Sequence, residues 1–303
     1  MEVNRNVLFP NLITIGNGIC GFAALALIAK AKWEPEVAAL DSGQLAIFAT
    51  ASWLVLLGMV FDVFDGKVAR LVGGGSPFGA MLDSLCDLVT FGLVPAVMIW
   101  RLGSTGAPLW WQRAVWFFSL AYFLGALLRL ARFTAESEPD DSAHLAFKGL
   151  PTPGAAGCVA SLVIFSQYIL DFKAKELLWL KDLPWVSGVL NVEAVQQGVA
   201  YIPKLLPVLG LVLGFTMVSN RLIFDHLGSR IFSKRHSFDF FVYLVFGAIL
   251  VAIIPEPILP VLFLGYLVYT PAKFVFRRLF ALAGRGGSSE EDPRKGEGQA
   301  GGS

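Results

Sequence analysis

Charge is scarce in this sequence. Only 16% of its 303 residues are Asp, Glu, Lys or Arg, and the two signs cancel to a formal net charge of +1. So even a balance excludes the broad basic surface on which nucleic-acid binding depends. Cysteine and histidine are scarcer still, three of each. Cys20, Cys86 and Cys158 lie inside apolar runs at no spacing that zinc sites use, so neither a structural zinc nor a disulfide is expected. His144, His226 and His236 stand apart in or beside polar loops and read as solvated side chains. The opening stretch MEVNRNVLFPNLITIG has no basic leader and no small-residue cleavage site, so the first apolar segment is expected to remain as a span.

What fills the chain instead is apolar surface: 55% of residues are hydrophobic and the mean hydropathy is +0.65. A helix rising about 1.5 Å per residue needs roughly 20 apolar residues to cross the hydrocarbon. Eight segments qualify, near 11–31, 46–72, 78–100, 113–133, 152–171, 203–220, 237–254 and 257–276. Pro10, Pro77, Pro151 and Pro203 stand at or just before expected helix starts, where a missing N–H costs little. The fold expected is therefore all-α, a polytopic transmembrane helix bundle of about eight spans. Trp110, Trp111, Trp179 and Trp185 read as an interfacial belt. Residues 283–303 are Gly-, Ser- and charge-rich and are expected to form a disordered tail. Lys and Arg favour one side of this topology, the side that also carries both termini: Arg5, Lys67, Arg70, Arg129, Arg132 and Lys148 lie there. That side is expected to be cytoplasmic.

Into this oily chain residues 61–92, FDVFDGKVARLVGGGSPFGAMLDSLCDLVTFG, place four aspartates. Asp62 and Asp65 are three apart near the end of the second span; Asp83 and Asp87 are four apart near the start of the third. Each spacing puts its pair on one helix face, and the Gly-rich turn between them makes the two spans an antiparallel hairpin. All four carboxylates can then converge. An ionised group at the membrane centre costs about 2.5–3.5 kcal/mol on the lower scales, so four together call for a neutralising partner. A hard divalent cation with oxygen ligands, shared with substrate phosphates, supplies one. Structural ion pairs with local Lys and Arg are the alternative, but they account less well for the shared face and the glycine turn. Gly66 and Ala69 leave the second helix bare beside Asp65, Gly79 does the same on the third, and Arg70 offers a planar fork suited to phosphate. Together these features suggest a nucleotide or pyrophosphate substrate.

Read as Asp62, Asp65, Gly66, Ala69, Arg70, Gly79, Asp83 and Asp87 at their spacings, the stretch resembles the complete signature of the CDP-alcohol phosphatidyltransferases. The resemblance implies a membrane enzyme with a six-helix core, usually a homodimer, that displaces CMP from a CDP-linked lipid with Mg2+ or Mn2+ and an alcohol acceptor. Carried over, Asp62, Asp65, Asp83 and Asp87 would hold metal, with Asp83 and Asp87 catalytic and Asp87 the general base. Gly66, Ala69, Arg70 and Gly79 would line the CDP site. Three further stretches, FPNLITIGNGICGF (9–22), LRLARF (128–133) and KGLPTPGAAG (148–157), with LDSLCDLVTFGLVPA (82–96), resemble integral-membrane phosphatidylserine synthases. Thr134 and Thr90 depart from that pattern, where asparagine and serine are expected.

These resemblances imply transfer of a phosphatidyl group from CDP-diacylglycerol to L-serine at the cytoplasmic face of the cell membrane. Arg129, Arg132 and Lys148 are candidates for the lipid phosphate or the serine carboxylate, though cations gather at span ends for topological reasons too. Asn11, Thr14 and Asn17 form a polar stripe on the first helix that either faces the CDP site or bonds to a neighbouring helix. The expected organisation is a catalytic membrane domain over 1–220, an additional helix pair over 221–282 and the tail. Acceptors such as glycerol 3-phosphate or an inositol phosphate are the runner-up. An ion-coupled transporter is a third reading, weakened by the lack of a matching second half in the chain.

Overall fold

Lipid offers the backbone no hydrogen-bond partners, so apolar runs of this length satisfy their own N–H and C=O groups by coiling. The computed structural model describes residues 5–32, 42–71, 76–136, 149–171, 201–219 and 251–285, and among these residues no strand occurs. In chain order the elements are α1 (Arg5–Lys30), α2 (Ser42–Leu71), α3 (Pro77–Asp87), a π turn (Leu88–Leu93), α4 (Val94–Ser104), α5 (Leu109–Glu136), α6 (Thr152–Asp171), α7 (Ile202–Val218) and α8 (Pro255–Arg285).

Among the described residues, five helical stretches are long and apolar enough to cross a membrane: Pro10–Lys30, Gly43–Val68, Pro77–Ser104, Leu109–Ala135 and Thr152–Leu170. They coincide with the first five expected spans. The sixth and eighth correspond to shorter apolar stretches, Ile202–Val218 and Pro255–Tyr269. The seventh lies outside the described residues except for 251–254. The chain is a multi-pass helical membrane protein, and large apolar side chains such as Phe22, Phe117, Phe215 and Val261 point outward, as lipid contact requires. Two boundaries differ from the expectation. Helix α1 starts at Arg5, so Pro10 sits in its second turn instead of at its start. Helix α8 runs to Arg285, three residues into the stretch read as tail.

Pro77 does begin α3, with Ser76 as its N-cap: extended at φ −87° and ψ 152°, Ser76 accepts the Gly79 N–H through Oγ at 3.0 Å. The turn of residues 72–75 lies outside the described residues, but α2 and α3 run antiparallel around it as expected.

Small residues let the helices close. A Cβ on Gly125 of α5 would sit 2.6 Å from the Gly214 carbonyl oxygen of α7, so the two backbones touch there. Gly157 of α6 receives the ring of Phe263 from α8. Two sets of contacts define the bundle's ends. At one, the Ser84 and Thr134 hydroxyls are 3.1 Å apart, and the Leu150 N–H donates to the Thr216 carbonyl at 3.1 Å. This end gathers the starts of α1, α3 and α6 with the ends of α2, α5 and α7, and it holds the aspartates. At the other, Arg101 Nη2 donates to the Ala31 carbonyl at 2.6 Å, closing off the C-terminus of α1.

Candidate active site

The last turns of α2 and the whole of α3 carry the four aspartates toward α1. Asp62, Asp83 and Asp87 each offer a carboxylate oxygen, and these oxygens lie within 4.8 Å of one another. Asp65 falls outside that trio, yet it is buried beside it and its charge acts on both Asp62 and Asp83. Two of the carboxylate oxygens, Asp65 Oδ2 and Asp83 Oδ1, are buried with no hydrogen-bond partner. Buried acceptors are ordinarily satisfied, so orphaned oxygens in a knot of like charges are what a cation site looks like before its cation is considered. The donor set is all oxygen and all anionic, which fits a hard divalent ion such as magnesium or manganese and suits soft-metal binding poorly. These residues could hold such an ion.

The polar stripe of α1 lies along this cluster. A Cβ on Gly79 would come 2.8 Å from Asn11 Oδ1; the Thr14 side chain lies against the Asp65 carboxylate; and Asn17 Nδ2 donates to Asp87 Oδ1 at 2.8 Å. The Thr14 hydroxyl also points at the Pro10 carbonyl, 3.2 Å away, and its single proton serves one acceptor at a time. Of the two readings left open for the stripe, these contacts are those of bonding to neighbouring helices, through Asp65 and Asp87.

The other expected residues separate. A Cβ on Gly66 would meet nothing within 4 Å, so this glycine borders space that the described residues leave open. Gly79 is different, because its missing side chain is accounted for by Asn11 and by Ser76 Oγ, 3.3 Å from the same hypothetical carbon. Ala69 and Arg70 occupy the last turn of α2, with side chains outside the described atoms. Arg129, on α5, is partly buried with its Nε unpartnered, and it lies within electrostatic reach of Asp87 and of Tyr266 of α8. Arg132 lies one turn further along α5. Lys148 and all three histidines fall outside the described residues.

Sequence reasoning missed the π turn that directly follows Asp87. Pro95 has no N–H to give the Phe91 carbonyl four residues back, and its ring crowds that carbonyl in a regular helix. The helix widens instead, the Val94 N–H reaching Val89 O, and the wholly buried Tyr122 of α5 donates its hydroxyl to Phe91 O at 2.9 Å. Thr90, inside the turn, donates to the Asn17 carbonyl at 3.0 Å. A proline well inside a span, at position 95, was the available signal.

A family model described as CDP-alcohol phosphatidyltransferase matches residues 7–195. A Saccharomyces cerevisiae protein named CDP-diacylglycerol--serine O-phosphatidyltransferase is 35% identical over 176 residues, covering 54% of this chain and 58% of that protein, under two thirds of its length. A Helicobacter pylori protein of the same name is 28% identical over 202 residues, covering 65% of this chain and 74% of its own. One from Methanocaldococcus jannaschii is 34% identical over 137 residues, covering 45% of this chain and 60% of its own.

Proposed function

We propose that this chain, which belongs to the CDP-alcohol phosphatidyltransferase family, transfers the phosphatidyl group of CDP-diacylglycerol to the hydroxyl of L-serine, releasing CMP. The observation that carries the reading is the meeting of Asp62, Asp83 and Asp87 oxygens within 4.8 Å, with buried carboxylate oxygens beside them left unpartnered. The names of the relatives supply the donor and the acceptor.

In this reading Asp62, Asp65, Asp83 and Asp87 hold Mg2+ or Mn2+. Such an ion, when bound, supplies the positive charge that a pyrophosphate needs as its bridging bond breaks. Gly66 lets the nucleotide approach the α2 backbone closely, with Ala69 and Arg70 following it in the last turn and Gly79 of α3 completing the nucleotide site. Asp87 takes the proton of the serine hydroxyl as its oxygen attacks the lipid-side phosphorus. The new O–P bond forms while the bond to the CMP oxygen breaks, so CMP leaves with the electron pair. Arg129, beside Asp87, fits the serine carboxylate or the lipid phosphate, and Arg132 and Lys148 extend that cationic edge. Residues 1–220 form the catalytic membrane domain, 221–282 an added helix pair and 283–303 a tail. The chain pairs as a homodimer in the cell membrane, its site open to the cytoplasm and to surrounding lipid.

Purified protein is offered CDP-diacylglycerol, Mg2+ and either labelled serine or labelled glycerol 3-phosphate. Label from serine should appear in lipid with one CMP released per lipid formed. Incorporation of glycerol 3-phosphate alone would reassign the acceptor, and no CMP release with either would overturn the reading.

A further inference from the structure

Asn17 is fully buried, at 0% exposure, in a membrane helix where an amide gains nothing from lipid. Its Nδ2 donates to Asp87 Oδ1 at 2.8 Å, and that acceptor assigns the amide's orientation, because an ionised carboxylate cannot donate in return. The amide oxygen then turns the other way, into the notch left by Gly58 on α2, where a Cβ would come within 2.8 Å of it. The backbone of the same residue is engaged too, its carbonyl accepting the Thr90 hydroxyl at 3.0 Å. One residue of α1 is thus tied twice to the strand of helix that carries Asp87, once just before the π turn and once inside it.

The notches make this a tight fit. A Cβ on Gly21 would collide with Thr90 Oγ1 and reach 3.0 Å from Thr90 Cα, and one on Gly58 would sit 2.7 Å from Thr90 Cγ2. Thr90 therefore uses both branches of its side chain, hydroxyl toward α1 and methyl toward α2. Widening of the helix at Leu88–Leu93 is anchored independently by the Tyr122 bond to Phe91.

We propose that Asn17 is a positioning residue for Asp87, held in place by Thr90 across the π turn, so that one Asp87 oxygen is fixed by the amide and the other is presented to the acceptor hydroxyl. This rests on the reading of Asp87 as the base. Helix-to-helix glue alone would leave the rate untouched once the protein is folded. A positioning role spends its effect on turnover and spares nucleotide binding.

The test uses full-length protein in lipid nanodiscs carrying Asn17→Ala, Thr90→Val, Thr90→Ser or Asp87→Asn. Melting temperature, CDP affinity at fixed Mg2+, kcat and KM for serine are measured for each. Asn17→Ala should lower kcat about 100-fold, the scale of a small misplacement of a reacting group. Thr90→Val should lower it about tenfold, one hydrogen bond's worth. Thr90→Ser, which keeps the hydroxyl, should recover most of that loss, and CDP affinity should stay within about threefold throughout. Wild-type kcat in Asn17→Ala overturns the proposal, as does a parallel fall in CDP affinity and kcat, or a Thr90→Ser no better than Thr90→Val. If Asn17→Ala does not fold, the Thr90 pair decides alone. An active Asp87→Asn removes the base itself, whereas an inactive one beside a fully active Asn17→Ala removes only the positioning role.

Discussion

The Asp87 carboxylate sits among three others, and its replacement by an amide separates charge from shape. Asp87→Asn keeps a carbonyl oxygen able to accept the Asn17 N–H, so the helix contacts persist while the proposed proton acceptor is lost. We expect kcat to fall by about 10²–10⁴, the range of general-base contributions, with CDP binding and melting temperature near those of the wild type. Single-turnover kinetics read the loss directly. Asp62→Ala acts on a different quantity, since it removes one corner of the oxygen trio. Titration calorimetry should show CDP affinity about tenfold weaker or worse at low Mg2+, recovering as Mg2+ is raised. The aspartates were legible in the sequence because ionised groups are conspicuous in an apolar chain. Thr90 and Tyr122 were not, because a hydroxyl in a helix bonds most often to its own preceding turn, as Ser52 does to Phe48 at 2.9 Å, and only the folded bundle shows which ones reach across. Gly66 and Gly79 looked alike in sequence and differ in space, one facing emptiness and the other a neighbour's side chain.

Helices were easier to read than their junctions. Runs of about twenty apolar residues announce a span whatever their packing, whereas the interruption of the third one involves Pro95 and the bond that Tyr122, some thirty residues away on another helix, makes to the Phe91 carbonyl. Pro10 shows the converse: a proline that reads as a helix start is tolerated in the second turn, where only one carbonyl loses its donor. What binds one helix to the next is mostly the absence of side chains. Gly125→Val would drive a branched side chain into the Gly214 backbone, which cannot swing aside as a side-chain tip can. We expect it to cost roughly 1–3 kcal/mol, seen as a lowered melting temperature in detergent. Gly265→Ala is the matched control, because a Cβ there meets nothing within 4 Å. Equal melting temperatures for the two variants would mean that the close approach of α5 and α7 carries no stability.

Across the whole bundle, polarity links the aspartates to one face of the membrane. Helix α1 starts and α8 finishes at the aspartate end: Gly79 meets Asn11 near the start of α1, and α8 runs against α6 with Phe263 at Gly157 and Tyr266 at Gly154. The outer ends of the first and last described helices therefore share a side, as an even number of crossings requires. Helix α7 ends at that side and α8 begins at the other. Arg5, Lys67, Arg70, Arg129, Arg132, Lys273, Arg277 and Arg278 belong to helix ends on the aspartate side, against Lys30, Lys32, Arg101, Arg113 and Lys204 on the far side. The difference is sharpened by Lys67 and Arg70, which sit in the short α2–α3 hairpin, where flanking cations weigh most in setting orientation. The aspartate side should therefore face the cytoplasm. Serine is zwitterionic and crosses bilayers slowly, which turns orientation into an assay. Sealed inside-out vesicles should incorporate external labelled serine without permeabilisation, and sealed right-side-out vesicles only after it. A protease added outside should remove a C-terminal tag from the first preparation and spare it in the second. The reverse pattern in both assays would invert the molecule in the membrane while leaving its chemistry intact; a split pattern, serine from one side and tag on the other, would mean an odd number of crossings and contradict the shared end of α1 and α8.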